Sequence, residues 1–270
     1  MTDTRKSPAA AMLLAMIALI WISPFSWLAV NAVDPGADGM LRWPQTVGFD
    51  NFAAAMSGEA GGQFLNSLYL SILTSTMTAV LAVLAAYPLS RLRIKGRDAF
   101  LWSLVLLRML PATGVIVPIF FTAQTTGMLN LFGVAIAITM LNLPFTMLLL
   151  KNFFDTVPVE LEEAAYTEGA SLFQIMWRIV LPMSRAGIAV VWFFSFITAW
   201  NEFLLPLIFV RRNGDFPMSV GLFASFGEHS SVNYGFLAAY SLIYALPAVA
   251  IYFMMRRNLN TGFAGVGVKG

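Results

Sequence analysis

Six apolar runs constrain this chain more than anything else in it: Ala9–Val33, Asn66–Leu89, Phe100–Phe121, Leu131–Leu150, Ile188–Val210 and Phe236–Met255. Each is close to the roughly 20 residues that a helix needs to cross hydrocarbon. No water reaches a backbone amide there, so every N–H and C=O must be satisfied within the protein. Charged residues make up 11% of the 270, and 59% are hydrophobic. Soluble domains carry about 25% charge. The expectation is an all-α membrane protein with six transmembrane helices, forming one domain over residues 1–270. Prolines interrupt several runs, at Pro24, Pro111, Pro118, Pro144, Pro206 and Pro247. Each leaves a carbonyl that must find another partner.

Charge in the gaps sets direction. With the N-terminus inside, twelve of the sixteen Lys and Arg fall on the cytoplasmic side. Arg42, Arg211 and Arg212 fall outside, and Arg108 lies within a run. That bias predicts both termini in the cytoplasm. Arg5-Lys6 and Val30-Asn31-Ala32 have the look of a signal peptide and its cleavage site. The first apolar run exceeds the about 7–15 residues of such a segment, so it is read as retained.

Several function classes find no support. Cysteine is absent, which excludes disulfides and thiolate metal sites. The single histidine, His229, sits in Gly-Glu-His-Ser-Ser and reads as a surface residue. There is no basic stripe or RNA-binding motif. A P-loop needs Gly-Lys-Ser/Thr, and the four lysines follow Arg5, Ile94, Leu150 and Val268. No cofactor is expected on this chain.

The segment Lys151–Arg185 is the most informative gap. Asp155 or Thr156 can cap a helix, with Pro158 in its first turn. Glu160, Glu162 and Glu163 then lie near the positive end of its dipole. Gly169 is placed to stop that helix in a left-handed conformation. Ser171 and Gln174 have capping-box spacing. A second helix runs to Leu181, where Pro182 discourages continuation. Its Leu172, Phe173, Ile175, Met176, Trp177, Ile179, Val180 and Leu181 are apolar on nearly every face, yet it is too short to span. Such a helix buries itself against its own bundle or against a partner.

Two charges lie inside runs. Arg108 is about 9 residues into the third run, roughly 14 Å deep, and Glu202 about 14 residues into the fifth. Buried membrane charges face a partner or a watery path. Two readings stand: a solute path lined by Arg108, Asn142, Trp200, Asn201 and Glu202, with Trp200 as a stacking surface, or an Arg108–Glu202 ion pair. A secondary transporter with Glu202 as its ion-coupling residue is the alternative function. The Gly-, Asn- and Ser-rich gaps at 34–65 and 211–235 read as external loops, for docking or for simple connection.

The string Glu163-Ala164-Ala165, Gly169, Ile179, Leu181-Pro182 resembles the EAA loop of membrane subunits of binding-protein-dependent ABC importers. Glu168 stands where that family often has Asp. Trp43-Pro44, Phe49-Asp50-Asn51-Phe52, Leu65-Asn66-Ser67, Arg108-Met109-Leu110-Pro111, Ala199-Trp200-Asn201-Glu202-Phe203-Leu204 and the ending from Gly262 to Gly270 resemble carbohydrate permeases, of the smaller maltose-permease type. The resemblance implies a type I ABC importer permease fold in the bacterial inner membrane. It implies a cytoplasmic coupling loop, 151–185, that docks into an ATPase through Glu162, Glu163, Ala164, Ala165, Glu168, Gly169, Ala170, Leu172, Phe173 and Pro182. It also implies two ATPase subunits carrying ATP and Mg, a second homologous permease, an extracytoplasmic solute-binding protein and a sugar substrate. Residues 256–270 form a cytoplasmic tail, which from Gly262 either reaches between the ATPases or is a frayed end.

Overall fold

The computed structural model describes residues 8–40, 42–109, 112–227 and 232–266, and all described regular structure is helical. Thirteen α-helices follow in order. They are α1 (Pro8–Ala32), α2 (Asp50–Ala55), α3 (Gly58–Arg91), α4 (Arg97–Met109), α5 (Ala112–Thr125), α6 (Leu131–Asp155), α7 (Val159–Thr167), α8 (Leu172–Ile175), α9 (Leu181–Met183), α10 (Arg185–Trp200), α11 (Leu204–Phe209), α12 (Met218–Gly227) and α13 (Tyr234–Val266).

Among them four stretches are long and apolar enough to span alone: Ala10–Ala32, Gly58–Arg91, Leu131–Asp155 and Tyr234–Arg256. The bent pair Leu172–Met183 and Arg185–Trp200, at 77°, supplies a fifth if counted as one span. The expected third run is divided into α4 and α5, and the sequence puts Pro111 at the division. The expected fifth run breaks after Trp200 and resumes at Leu204. The second run starts at Gly58 rather than Asn66. The last continues to Val266, so the glycine-rich ending begins inside a helix. Residues 267–270 and His229 lie outside the described residues.

The chain divides into two compact units, Met1–Gly61 with Leu222–Leu246, and Gly62–Gly221 with Pro247–Gly270. In the first unit, α1 is exposed from Ala10 to Ser26 and becomes buried at Asn31 and Ala32. The loop after it is held by Asn51, whose Nδ2 donates to Ala32 O at 3.2 Å and Asp34 O at 3.0 Å. Gly235 abuts the same amide, where a Cβ would meet Nδ2 at 2.4 Å. Arg42 pairs with Asp38 at 3.0 Å.

In the second unit α6 is central and contributes to two apolar cores. Val134, Ala135 and Ile138 pack with Leu70 of α3, Ile116 of α5 and Phe209 of α11. Further along α6, Met147, Leu150 and Phe154 pack with Ala82 and Ala86 of α3, Leu104 of α4 and Val190 of α10. Small residues permit close helix approach where lipid gives no hydrophobic drive. Gly187 of α10 is the sharpest case: a Cβ there would meet the Phe153 ring at 2.4 Å. Gly187→Ala is therefore expected to lower the thermal midpoint of the purified protein, at a cost of about 1–3 kcal/mol. Adding Phe153→Leu should recover part of the loss.

Candidate functional site

The segment between α6 and α10 is built from its turns outward. Asp155 and Thr156 do not cap α7, contrary to expectation. They end α6, where Asp155 accepts from Lys151 Nζ at 2.6 Å and from Ser90 Oγ at 2.6 Å. Helix α7 starts after Pro158, with no side-chain cap. It stops at Gly169, whose φ is +86°. Ala170 N–H reaches Ala165 O at 3.0 Å and Gly169 N–H reaches Tyr166 O at 3.0 Å. These paired bonds are a Schellman motif, and glycine enters it without a Cβ penalty. The next helix opens at once. Ser171 Oγ accepts from Gln174 N–H and Gln174 Oε1 accepts from Ser171 N–H, the reciprocal capping box.

Pro182 does not end that helix. A π turn, Met176–Val180, joins α8 to α9, with Leu181 N–H reaching Met176 O. An α-helical residue 182 would donate to the carbonyl four residues back, and proline has no N–H to give. The wider turn accommodates the ring, and the helix continues to Met183. Ser184 then bends the chain by 77° into α10.

This helix pair is anchored on one side and open on the other. Ile175 and Val180 are buried in the core around α6, and Ala165, Ala170, Ile179 and Leu181 pack against it. Leu172 (64% exposed), Phe173 (66%) and Trp177 (56%) face outward. The Phe173 and Trp177 ring centroids lie 6.0 Å apart. On α7 Leu161 and Tyr166 are exposed too, as are Glu163, Ala164 and, just beyond it, Glu168. Pro182 is exposed as well. A large apolar patch on polar surroundings marks an interaction site.

Glu162 departs from the expected outward set. It is buried, and its Oε1 accepts from Arg91 Nε at 2.7 Å while Oε2 accepts from Tyr87 Oη at 3.1 Å. Arg91 Nη2 also donates to Phe154 O at 2.9 Å and Val157 O at 3.1 Å, and Nη1 to Ser90 Oγ at 3.0 Å. One guanidinium thus ties the end of α3 to the end of α6 and to α7. Arginine's planar fork suits this multiple donation, which a lysine cannot reproduce. Sequence reading counted Arg91 only as a cytoplasmic charge. No local pattern marks its partners, which lie 63 to 71 residues away.

The residues expected to line a solute path have separate situations. Trp200 is 1% exposed, stacked on Phe196 at 5.7 Å and met edge-on by Phe64 at 6.1 Å. It is a core side chain here and offers no open stacking face. Glu202 closes the helix break: its Oε1 accepts from Leu204 N–H and Leu205 N–H, each at 3.1 Å. Pro206 has no N–H, and Leu207 N–H returns to Phe203 O at 3.1 Å. Asn201 is exposed at the break and donates to Ile197 O. Asn142 is buried in α6, and its Nδ2 has no partner among the described residues. The Arg108 side chain lies outside the described residues.

The family described as "Binding-protein-dependent transport system inner membrane component" matches residues 78–261. The inner membrane ABC transporter permease protein YcjP of Escherichia coli (strain K12) is 37% identical over 209 residues, covering 77% of this chain and 74% of that one. The galactooligosaccharides transport system permease protein GanQ of Bacillus subtilis (strain 168) is 30% identical over 266 residues, covering 96% and 94%. In structure, the chain is similar to a subunit of a bacterial ABC transporter involved in the import of the acidic polysaccharide alginate. The TM-score is 0.79 at 20% identity, over 93% of this chain and 95% of that one.

Removing either half of the Arg91–Glu162 pair leaves a buried charge without its partner. Arg91→Ala is expected to cost about 3–5 kcal/mol and to open the α6–α7 junction to limited proteolysis. Arg91→Lys should fall between it and the wild type. Gly169→Ala, in open space but at positive φ, should cost only about 1–2 kcal/mol by thermal unfolding.

Proposed function

Since the chain belongs to the family of binding-protein-dependent transport system inner membrane components, we propose that it is the permease subunit through which an ABC importer takes up a carbohydrate. The observation that carries this reading is the anchored helix pair with Leu172, Phe173 and Trp177 turned outward. A short helix that keeps three large apolar side chains in the open is built to be covered.

The cover is a cleft on an ATPase subunit. Glu163 and Glu168 border the apolar face and meet a basic rim. ATP and Mg belong to that partner, since this chain has no P-loop. Two such ATPases serve this permease and a second homologous permease. When they close on ATP they carry the helix pair with them, and the spans follow as a rigid body. The charge bias puts the pair and both termini in the cytoplasm. The loops at 34–65 and 211–235 then face an extracytoplasmic solute-binding protein.

A carbohydrate cargo is supported by GanQ, a galactooligosaccharide permease, and by the alginate importer. Among the expected path residues whose side chains are described, Asn201 is the exposed one, at the break in the fifth run. The secondary-transporter alternative gave Glu202 an ion-coupling role. Its Oε1 is instead held by two backbone amides.

The test is co-purification in mild detergent of the wild type beside Gly169→Asp and Phe173→Asp. An ATPase should accompany the wild type. Phe173→Asp should lose it, with ATP-driven uptake falling roughly tenfold or more. A folded wild-type chain recovered with no ATPase would overturn the reading.

A further inference from the structure

The link between α3 and α4 reads Arg91-Leu92-Arg93-Ile94-Lys95-Gly96-Arg97, with a cation at every second position. Two of the four cations are engaged. Arg91 is held in the buried cluster with Glu162, and Arg97 Nε meets Asp98 at 3.4 Å. Arg93 and Lys95 are exposed and have no ion-pair or hydrogen-bond partner among the described residues. Both line a cavity of about 490 Å³ formed by residues 93–99. A turn shapes it: Arg97 N–H reaches Ile94 O at 3.1 Å, and Gly96 takes a φ of +80°. Asp98, the one carboxylate lining the cavity, is already paired with Arg97.

The apolar neighbours decide what fits. Leu92 (54% exposed) and Ile94 (47%) alternate with the free cations, and Phe100 (47%) and Trp102 (68%) follow on α4. A soluble phosphate has no use for these side chains. A lipid does: its headgroup takes the cations and its acyl region takes the apolar surface. Tryptophan is also at home at the headgroup level. We propose that this link seats the headgroup of an anionic phospholipid of the cytoplasmic leaflet, with Arg93 and Lys95 on its phosphate. The placement on that leaflet rests on the orientation proposed above; the binding itself does not rest on transport. Basic pockets at membrane-helix ends on that side have the right field for such a headgroup.

The full chain, purified in mild detergent, is titrated separately with phosphatidylglycerol, phosphatidylcholine and inorganic phosphate. Native mass spectrometry reads retained lipid, and thermal unfolding reads the shift. Phosphatidylglycerol at about tenfold over its Kd should raise the wild-type midpoint by roughly 3–5 °C. The double variant Arg93→Gln/Lys95→Gln should lose both the shift and the retained lipid. Arg93→Lys/Lys95→Arg should keep them. The midpoint in phosphatidylcholine checks that the double variant folds. If it does not, the single variants are read instead, each expected to lose about half of the shift. Equal shifts with both lipids, an equal shift with inorganic phosphate, or full retention in the neutral variants would each overturn the proposal. None of these readouts depends on an ATPase, so failure here leaves the importer reading standing.

Discussion

In hydrocarbon a backbone amide that loses its helical partner has no water to turn to, and an unsatisfied group costs several kcal/mol. This constraint governs where the chain can depart from regular helix. At residues 201–206 the departure is large, yet the donors around it are provided for. Glu202 takes the amides of Leu204 and Leu205, proline removes a third donor, and Leu207 pairs back to Phe203. Ser219 Oγ donates to the Glu202 carbonyl at 2.7 Å. A charged residue deep in an apolar run thus has a structural use. Its carboxylate supports the break, and the break redirects α11 against the core around Val134 and Ile138.

A gentler adjustment is made at Met176–Val180, outside the apolar runs. There the chain keeps its helical course and widens by one residue, so that Pro182 can be carried inside the helix. Two prolines, Pro182 and Pro206, therefore produce different outcomes. One is absorbed by a π turn, and the other sits just beyond a carboxylate-capped break. The difference lies in what precedes each: a short helix with a sound capping box on one side, and a glutamate four residues upstream on the other.

How much of this was legible depends on the reach of each interaction. Gly169, Ser171 and Gln174 work within three to five residues of themselves. Their turn and capping box could be read from spacing alone, and the structure has both. The apolar runs were legible because membrane length and composition are coarse signals. The inward turn of Glu162 was not legible. It looks like its neighbours Glu160 and Glu163, and its fate is set by Arg91 and Tyr87, more than 70 residues earlier. Asp155 misled for a similar reason: a good capping residue was claimed by Lys151 and Ser90. Trp200 invites a binding role by its chemistry, and only tertiary packing shows that Phe196 and Phe64 cover it. The resemblance to permeases pointed to this segment, but it could not separate the residues that face outward from those that hold the segment down.

That separation bears on how force would pass through the molecule. A docking element linked by loose chain absorbs displacement in the linkers. The helix pair between α6 and α10 has little slack. Val180 and Ile175 fix the second helix in the core, and the Arg91 guanidinium fixes the first to α3 and α6. Beyond Met183 only Ser184 intervenes before α10 begins. Cores repack between discrete arrangements rather than deforming smoothly. A push on Phe173 and Trp177 is therefore delivered to three long helices at once. In the importer reading, the stiffness of these joints matters as much as the apolar face itself, because a face that docked without them would bind an ATPase and transmit nothing.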